Sequence, residues 1–266
     1  MINIKGDMKM GLFSKIFGRE TKDSDVVTQQ VSPKIMETET VSTSNVIDMS
    51  KSKENLNKVL IDMSKDSKID MSKHVARVAL AMDYSLSMDE LFDDGSVQRV
   101  ITRLLPIALK FDDNGELESW LFSNYFERLK PVTIKNYENY VKKVMQKANL
   151  NMGGTYYEPV LSDMVTYYKD IEPSEVPAFI IFITDGDNYD KPQTNDIVKE
   201  LSDYNIFVQF IGIGKAKFNY LKSLDDMKGR KHDNTGFTAV EDMNKMTDEE
   251  LYTEILRQYK DWLNNK

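Results

Sequence analysis

Three short stretches carry oxygen-bearing side chains in settings where they could act together. The first is Val78-Ala79-Leu80-Ala81-Met82-Asp83-Tyr84-Ser85-Leu86-Ser87, in which five apolar residues run into an acid and two hydroxyls spaced D-x-S-x-S. The second is Gly153-Gly154-Thr155-Tyr156-Tyr157-Glu158-Pro159. Its glycines permit a tight path and close approach, and they deliver a Thr hydroxyl at a helix start. The third is Ile183-Thr184-Asp185-Gly186-Asp187, an acid at the end of a long apolar run followed by a glycine turn. Asp83, Ser85, Ser87, Thr155 and Asp185 are hard oxygen ligands of the kind that suits Mg²⁺, Mn²⁺ or Ca²⁺. Asp and Ser also follow strands simply as turn formers and helix caps. The chemistry therefore depends on whether the fold brings the three stretches to one place.

The elements that must do so alternate along the chain. Val78–Met82 is too short for a free-standing helix and reads as a strand buried on both faces, as does Ala178–Thr184. Leu117–Phe122 and Ile206–Ile211 read as further strands, and Phe237–Val240 as a last edge strand. Helical spacing covers 96–110, where Pro106 should kink or shorten the helix, and 136–148. It also covers 155–168, with Thr155 and Glu158 as a capping box, a short stretch near 196–202, and 247–263 capped by Thr247 and Glu250. This alternation predicts an α/β fold: a doubly wound, mostly parallel sheet with helices on both faces, Rossmann-like in plan. In such sheets ligands bind beyond the carboxyl ends of the strands, where the three stretches lie.

The chain divides into three parts on composition. Residues 1–45 are expected to be largely disordered, because Thr21 to Asn45 is Ser/Thr/Gln/Glu-rich without a sustained period. Residues 10–18 within that part suit one or two amphipathic turns and a weak membrane-surface or partner contact, and Met10 is an alternative start. Residues 46–73 hold a repeat: Ile47-Asp48-Met49-Ser50-Lys51, Ile61-Asp62-Met63-Ser64-Lys65 and Ile69-Asp70-Met71-Ser72-Lys73. Its alternation predicts short half-buried strands or a linker, the last two copies pairing as a hairpin across 66–68. Asp48, Asp62 and Asp70 then read as the solvated face of strands rather than a cation site. Residues 74–266 form the α/β domain.

Bulk properties narrow the function. The chain has 266 residues and a net charge of -8, which argues against nucleic-acid binding, since that normally needs a basic face. It has no cysteine and only two histidines, His74 and His232, so a cysteine nucleophile is excluded and a His-based triad or metal cluster is disfavoured. No apolar run approaches the roughly 20 residues of a membrane span. No signal peptide is visible, and a cytoplasmic location is expected.

The three stretches together resemble the von Willebrand factor A (vWA) domain and its metal-ion-dependent adhesion site. That motif is D-x-S-x-S, a distant Thr and a distant Asp, matched by Asp83, Ser85, Ser87, Thr155 and Asp185. The chain is similar in particular to the vWA proteins of bacterial tellurium-resistance, or toxic-cation stress, loci. The stretches carrying that likeness are Arg103-Leu104-Leu105-Pro106, Phe111-Asp112-Asp113-Asn114-Gly115-Glu116-Leu117, Pro131-Val132-Thr133-Ile134 and Asp248-Glu249-Glu250-Leu251-Tyr252. Leu86 stands where many members have Gly between the serines. The resemblance implies one divalent cation, Mg²⁺ or else Mn²⁺ or Ca²⁺, held by three hydroxyls and two acids. It also implies an open position filled by an Asp or Glu carboxylate of a protein partner, and no catalysis.

Two other readings compete. One is a vWA scaffold with an idle metal site that works through other surfaces. The other is a metal-dependent phosphohydrolase of the haloacid-dehalogenase type, which needs a second Asp at the position held by Ser85. Trp120, Trp262, Tyr156-Tyr157 and Tyr167-Tyr168 read as core and helix-face packing rather than an aromatic binding patch. Asp187, Asn188, Tyr189 and Asp190 extend an acidic rim that either shapes partner choice or is a solvated loop.

Overall fold

The structure is a computed structural model and describes residues 48–266. The expectations for residues 1–45, including the contact at 10–18, lie outside the described residues. Its centre is a six-stranded sheet: β1 (Arg77–Asp83), β2 (Leu117–Phe122), β3 (Phe126–Val132), β4 (Ala178–Thr184), β5 (Ile206–Ile213) and β6 (Thr235–Val240). The order across the sheet is β3-β2-β1-β4-β5-β6, and every neighbouring pair is parallel except β2 with β3. Strands buried on both faces need apolar residues throughout, and β4 is buried at all seven positions.

Alternation along β1 sorts its side chains between two cores. Val78, Leu80 and Met82 pack with α1 (Met49–Lys65), α3 (Ser96–Phe111) and α8 (Asp248–Asn265). Ala79 and Ala81 face the other way, toward α5 (Glu158–Thr166), α6 (Lys191–Leu201) and α7 (Asn219–Asp225). Trp120 and Trp262 are buried in these cores, as are Tyr157 and Tyr168. The shorter α2 (Asp89–Asp93) and α4 (Tyr140–Lys143) complete the set. Among the described residues no helix is long and apolar enough to cross a membrane.

The repeat region differs from expectation. No strand or hairpin forms from residue 48 to 73; α1 occupies 49–65 and a single 3₁₀ turn follows at Met71–Lys73. The reason lies between the repeats, where Ser52, Leu56, Val59 and Leu60 form a buried stripe at helical spacing. The three near-identical pentapeptides consequently take three roles. Asp48 caps α1 by accepting from the Ser50 and Lys51 amides at 2.9 and 3.3 Å. The second copy ends the same helix, with Lys65 paired to Asp62. Asp70 caps the 3₁₀ turn, and Met71 is buried. Helix α1 is part of the same core as the sheet, and Ser52 Oγ donates to Asp248 Oδ2 on α8 at 2.6 Å.

Other departures have local causes. Helix α3 runs unbroken through Pro106, because Leu104, Leu105, Ile107 and Ala108 around it are fully buried and packing offsets one missing hydrogen bond. The helix expected at 136–148 shrinks to α4 and a 3₁₀ turn, broken by Asn139 at φ 59° and Val144 at φ -120°. Two elements have no clear apolar period to reveal them: the edge strand β3, where only Leu129 and Val132 are buried, and the short α7.

His74 sits beneath α8, its Nε2 2.9 Å from the Tyr259 hydroxyl. Burial lowers its pKa to about 4, with the Lys266 charge adding to the effect. The unfolded chain binds a proton below about pH 6.5, which the folded chain refuses until about pH 4. This group's contribution is therefore complete above pH 6.5 and lost as pH falls toward 4. Allowing for partial exposure, His74→Gln should remove about 1 kcal/mol of the loss between pH 7 and 5. Urea unfolding at both pH values tests this, and equal slopes for the two proteins would refute it.

Candidate metal centre

The sheet register brings two of the three stretches together. Met82 lies opposite Ile183 across the β1–β4 pair, so Asp83 ends β1 beside Thr184, with Asp185 one residue further on. Asp83 is fully buried and its two oxygens are both engaged. Oδ1 accepts from the Ser85 amide at 2.7 Å, and Oδ2 accepts from Thr184 Oγ1 at 2.6 Å. Ser85 Oγ and Ser87 Oγ are 3.1 Å apart, and Ser87 Oγ donates to Asp185 Oδ1 at 2.9 Å. Asp83, Ser85, Ser87 and Asp185 thus lie on one run of hydrogen bonds that crosses from the end of β1 to the end of β4.

The third stretch joins through backbone. Ser85 forms an isolated parallel bridge with Gly153, and the Leu86 amide donates to the Gly153 carbonyl at 3.0 Å. The Tyr189 amide donates to the Thr155 carbonyl at 3.0 Å, so the loop after β4 closes on the same segment. At Gly153 and Gly154 the matter is closeness rather than φ. A Cβ on Gly153 would run into the Asn124 side-chain oxygen, and one on Gly154 would meet the Tyr189 ring at 3.1 Å. Thr155 is buried on this segment. Among the described residues no side-chain hydrogen bond ties its hydroxyl into the Ser–Asp run.

The capping box expected at Thr155 and Glu158 does not form. Helix α5 begins at Glu158, and Asp190 caps it from the loop after β4, accepting from the Tyr157 and Glu158 amides at 3.1 and 2.8 Å. The long-range cap leaves the Thr155 hydroxyl outside that task. Beyond Thr166 the helix widens into a π turn at Tyr167–Ile171. Asp190 is therefore a structural member of the supposed acidic rim, as is the buried Asn188, while Asp187 pairs with Lys191 at 2.7 Å.

Thr184 and Tyr157 were missed as members of the site. Thr184 holds Asp83, and the Tyr157 hydroxyl lies 3.1 Å from Thr184 Oγ1 while donating to the Gly186 carbonyl at 2.6 Å. The available signal was the hydroxyl that ends the apolar run of β4 at the level of Asp83.

Electrostatics mark the spot as short of positive charge. Burial pushes the Asp83 carboxyl up to about 7, the Asp185 charge adding to the rise and the Thr184 and Ser85 hydrogen bonds opposing it. Burial raises Asp185 as well, against the Ser87 hydrogen bond. No cationic side chain is among the neighbours that shift either group. Among the described residues no three carboxylates or imidazoles converge elsewhere or here, so the donor set is hydroxyl-rich with two acids. Hydroxyl and carboxylate oxygens around uncompensated negative charge fit a hard divalent cation.

Comparison with known proteins bears on the family and the fold. A model of the vWA domain found in the TerF C terminus matches residues 75–266. The uncharacterized protein YcbR of Bacillus subtilis (strain 168) is 40% identical over 211 residues, spanning 76% of this chain and 86% of that protein. Among solved structures, the manganese-loaded TRAP protein of Plasmodium vivax superposes with a TM-score of 0.51 at 15% identity, over 71% of this chain and 74% of that one. This last likeness is one of fold. The ArnB paralog VWA2 of Sulfolobus acidocaldarius gives a TM-score of 0.43 at 18% identity, and the match covers 70% of this chain and 46% of that one.

Proposed function

The chain belongs to the vWA family found in the TerF C terminus, the tellurium-resistance type, and from that premise we propose that it is a non-enzymatic, metal-dependent protein-binding module. Asp83, Ser85, Ser87, Thr155 and Asp185 hold one divalent cation, Mg²⁺ in the first instance and Mn²⁺ or Ca²⁺ as substitutes. When bound, the cation supplies the missing positive charge and an open coordination position for a carboxylate of a protein partner. Ser85, Ser87 and Thr155 contribute hydroxyls; Asp83 and Asp185 contribute charge, directly or through water. The module serves a cytoplasmic response to tellurite or other toxic cations.

The observation that carries this reading is the run of hydrogen bonds from Asp83 through Ser85 and Ser87 to Asp185, to which, among the described residues, no Lys or Arg side chain bonds. A phosphohydrolase is disfavoured because Ser85, the position of the required second acid, is a neutral group bonded within this run. The test is thermal unfolding with millimolar Mg²⁺ or Mn²⁺. A ligand specific to the folded state at one hundred times its Kd stabilises it by about 2.7 kcal/mol. The wild-type Tm should rise accordingly, and the rise should vanish in Asp185→Ala. If the metal leaves the wild-type Tm unchanged, the reading gives way to a scaffold with an idle site.

A further inference from the structure

Large apolar side chains are rarely left in water without a reason when they gather in one place. The three most exposed ones among the described residues are Tyr125 and Tyr189, at 75% each, and Leu86 at 69%. Leu86 and Tyr189 stand on loops of the metal centre, and Tyr125 stands on the turn between β2 and β3, which touches it. Leu86 lies between the two serines of the centre, and its amide bonds Gly153. Tyr125 follows Asn124, whose side chain accepts from the Gly154 amide. The Tyr189 ring packs over Gly154 and lies 5.6 Å from the Tyr156 ring. The Gly153-Gly154 pair thus links the three segments that carry these exposed side chains.

The two charged residues that directly follow the D-x-S-x-S loop are both acidic. Asp89 and Glu90 open α2 directly after the D-x-S-x-S loop and are exposed. Asp187 is balanced by Lys191. A partner segment rich in acids would be repelled by this edge, whereas one carboxylate carried between apolar side chains would meet both the metal and the ring around it.

We infer that the metal centre and its rim of Leu86, Tyr125 and Tyr189 form one docking surface for a partner segment with a single Asp or Glu flanked by apolar or aromatic residues. This rests on the metal-dependent reading above. Leu86, in place of the smaller residue common at that position, supplies contact rather than coordination. Exposed aromatic anchors beside a polar centre are the arrangement that concentrates binding energy in few residues.

The experiment uses the full chain loaded with Mn²⁺ and a displayed library of random nonapeptides with a fixed central aspartate. The positions next to the aspartate should become enriched in Leu, Phe, Tyr and Trp by about fivefold or more and depleted of Asp and Glu, as expected for anchors of this type. The Leu86→Ser/Tyr189→Ser double variant should lose that enrichment yet keep its full Mn²⁺-dependent rise in Tm. Enrichment of acidic flanks, an absence of selection by the manganese-loaded wild type, or unchanged enrichment by the variant overturns the inference and leaves the metal reading standing. A wild type whose Tm does not respond to Mn²⁺ overturns the metal reading first. Sedimentation of the loaded protein alone completes the test: a metal-dependent dimer would assign the rim to a second copy and overturn the inference.

Discussion

Asp83→Asn is expected to abolish the metal-dependent rise in Tm while leaving the metal-free protein at least as stable as the wild type. The asparagine oxygen can still accept the Ser85 amide bond, so the loop is retained. What disappears is a buried negative charge beside a second carboxylate, the feature that a cation would need and that metal-free folding must tolerate. The sign follows from linkage. Because burial raises Asp83 to about 7 in the folded protein, its ionisation opposes folding increasingly as pH rises from about 4 to about 7. The gain from Asp83→Asn should therefore be absent near pH 4 and reach about 1 kcal/mol or more at pH 8. The loss of metal response should amount to about 2.7 kcal/mol at one hundred times the wild-type Kd. Paired melts at pH 8, with Mn²⁺ and with chelator, measure both. A variant that keeps its Mn²⁺ shift, or one that is less stable than the wild type in chelator, would sink the argument.

The second large effect concerns Arg103, a buried cation far from any catalytic or metal role. Its Nε donates to Asp248 Oδ1 at 2.8 Å, its Nη2 donates to the Met246 carbonyl at 2.8 Å, and its Nη1 reaches the Met243 carbonyl. Asp248 in turn accepts from Ser52, so one guanidinium ties α3 to α8 and, through the carboxylate, to α1. Removing one partner of such a pair leaves the other charge and two carbonyls in a poorly hydrated place, which costs about 3–5 kcal/mol. Arg103→Ala should lose that much stability in urea titrations. Arg103→Lys should recover only part of it, because an ammonium cannot reproduce the planar fork. A loss under about 1 kcal/mol would show the cluster to be weakly coupled, as exposed pairs are.

What could be read from the sequence follows physical range. Strands β1 and β4 are legible because burial on both faces demands continuous apolar runs. Helix α8 was legible because its capping box is local, with Thr247 accepting from the Glu250 amide at 3.2 Å. The five oxygen-bearing residues stood out through spacing and strand context, and the structure places four of them on one hydrogen-bonded run. The misreadings occurred where distant groups decide. Asp190 takes over the cap that Thr155 was expected to supply, and no local pattern announces a cap from another loop. The Asp-Met-Ser-Lys copies alternate like strands, yet α8 and α3 offer an apolar surface to a helix. Thr184 was overlooked because a hydroxyl at the end of a strand has meaning only once its neighbour across the sheet is known.

The α1–α8 contact has a consequence for synthesis on the ribosome. Ser52 and Asp248 are 196 residues apart in sequence, and the Lys68 amide bonds Asn264 across a similar span. At about 5–20 residues per second, translation separates the two helices by roughly 10–40 s. During that interval the apolar stripe of Leu56, Val59 and Leu60 can meet α3, but the part of its packing that α8 supplies has not been made. The nascent chain must carry part of this stripe exposed, or lend it to a chaperone, until α8 emerges. Closure of the domain is thus timed by the arrival of α8.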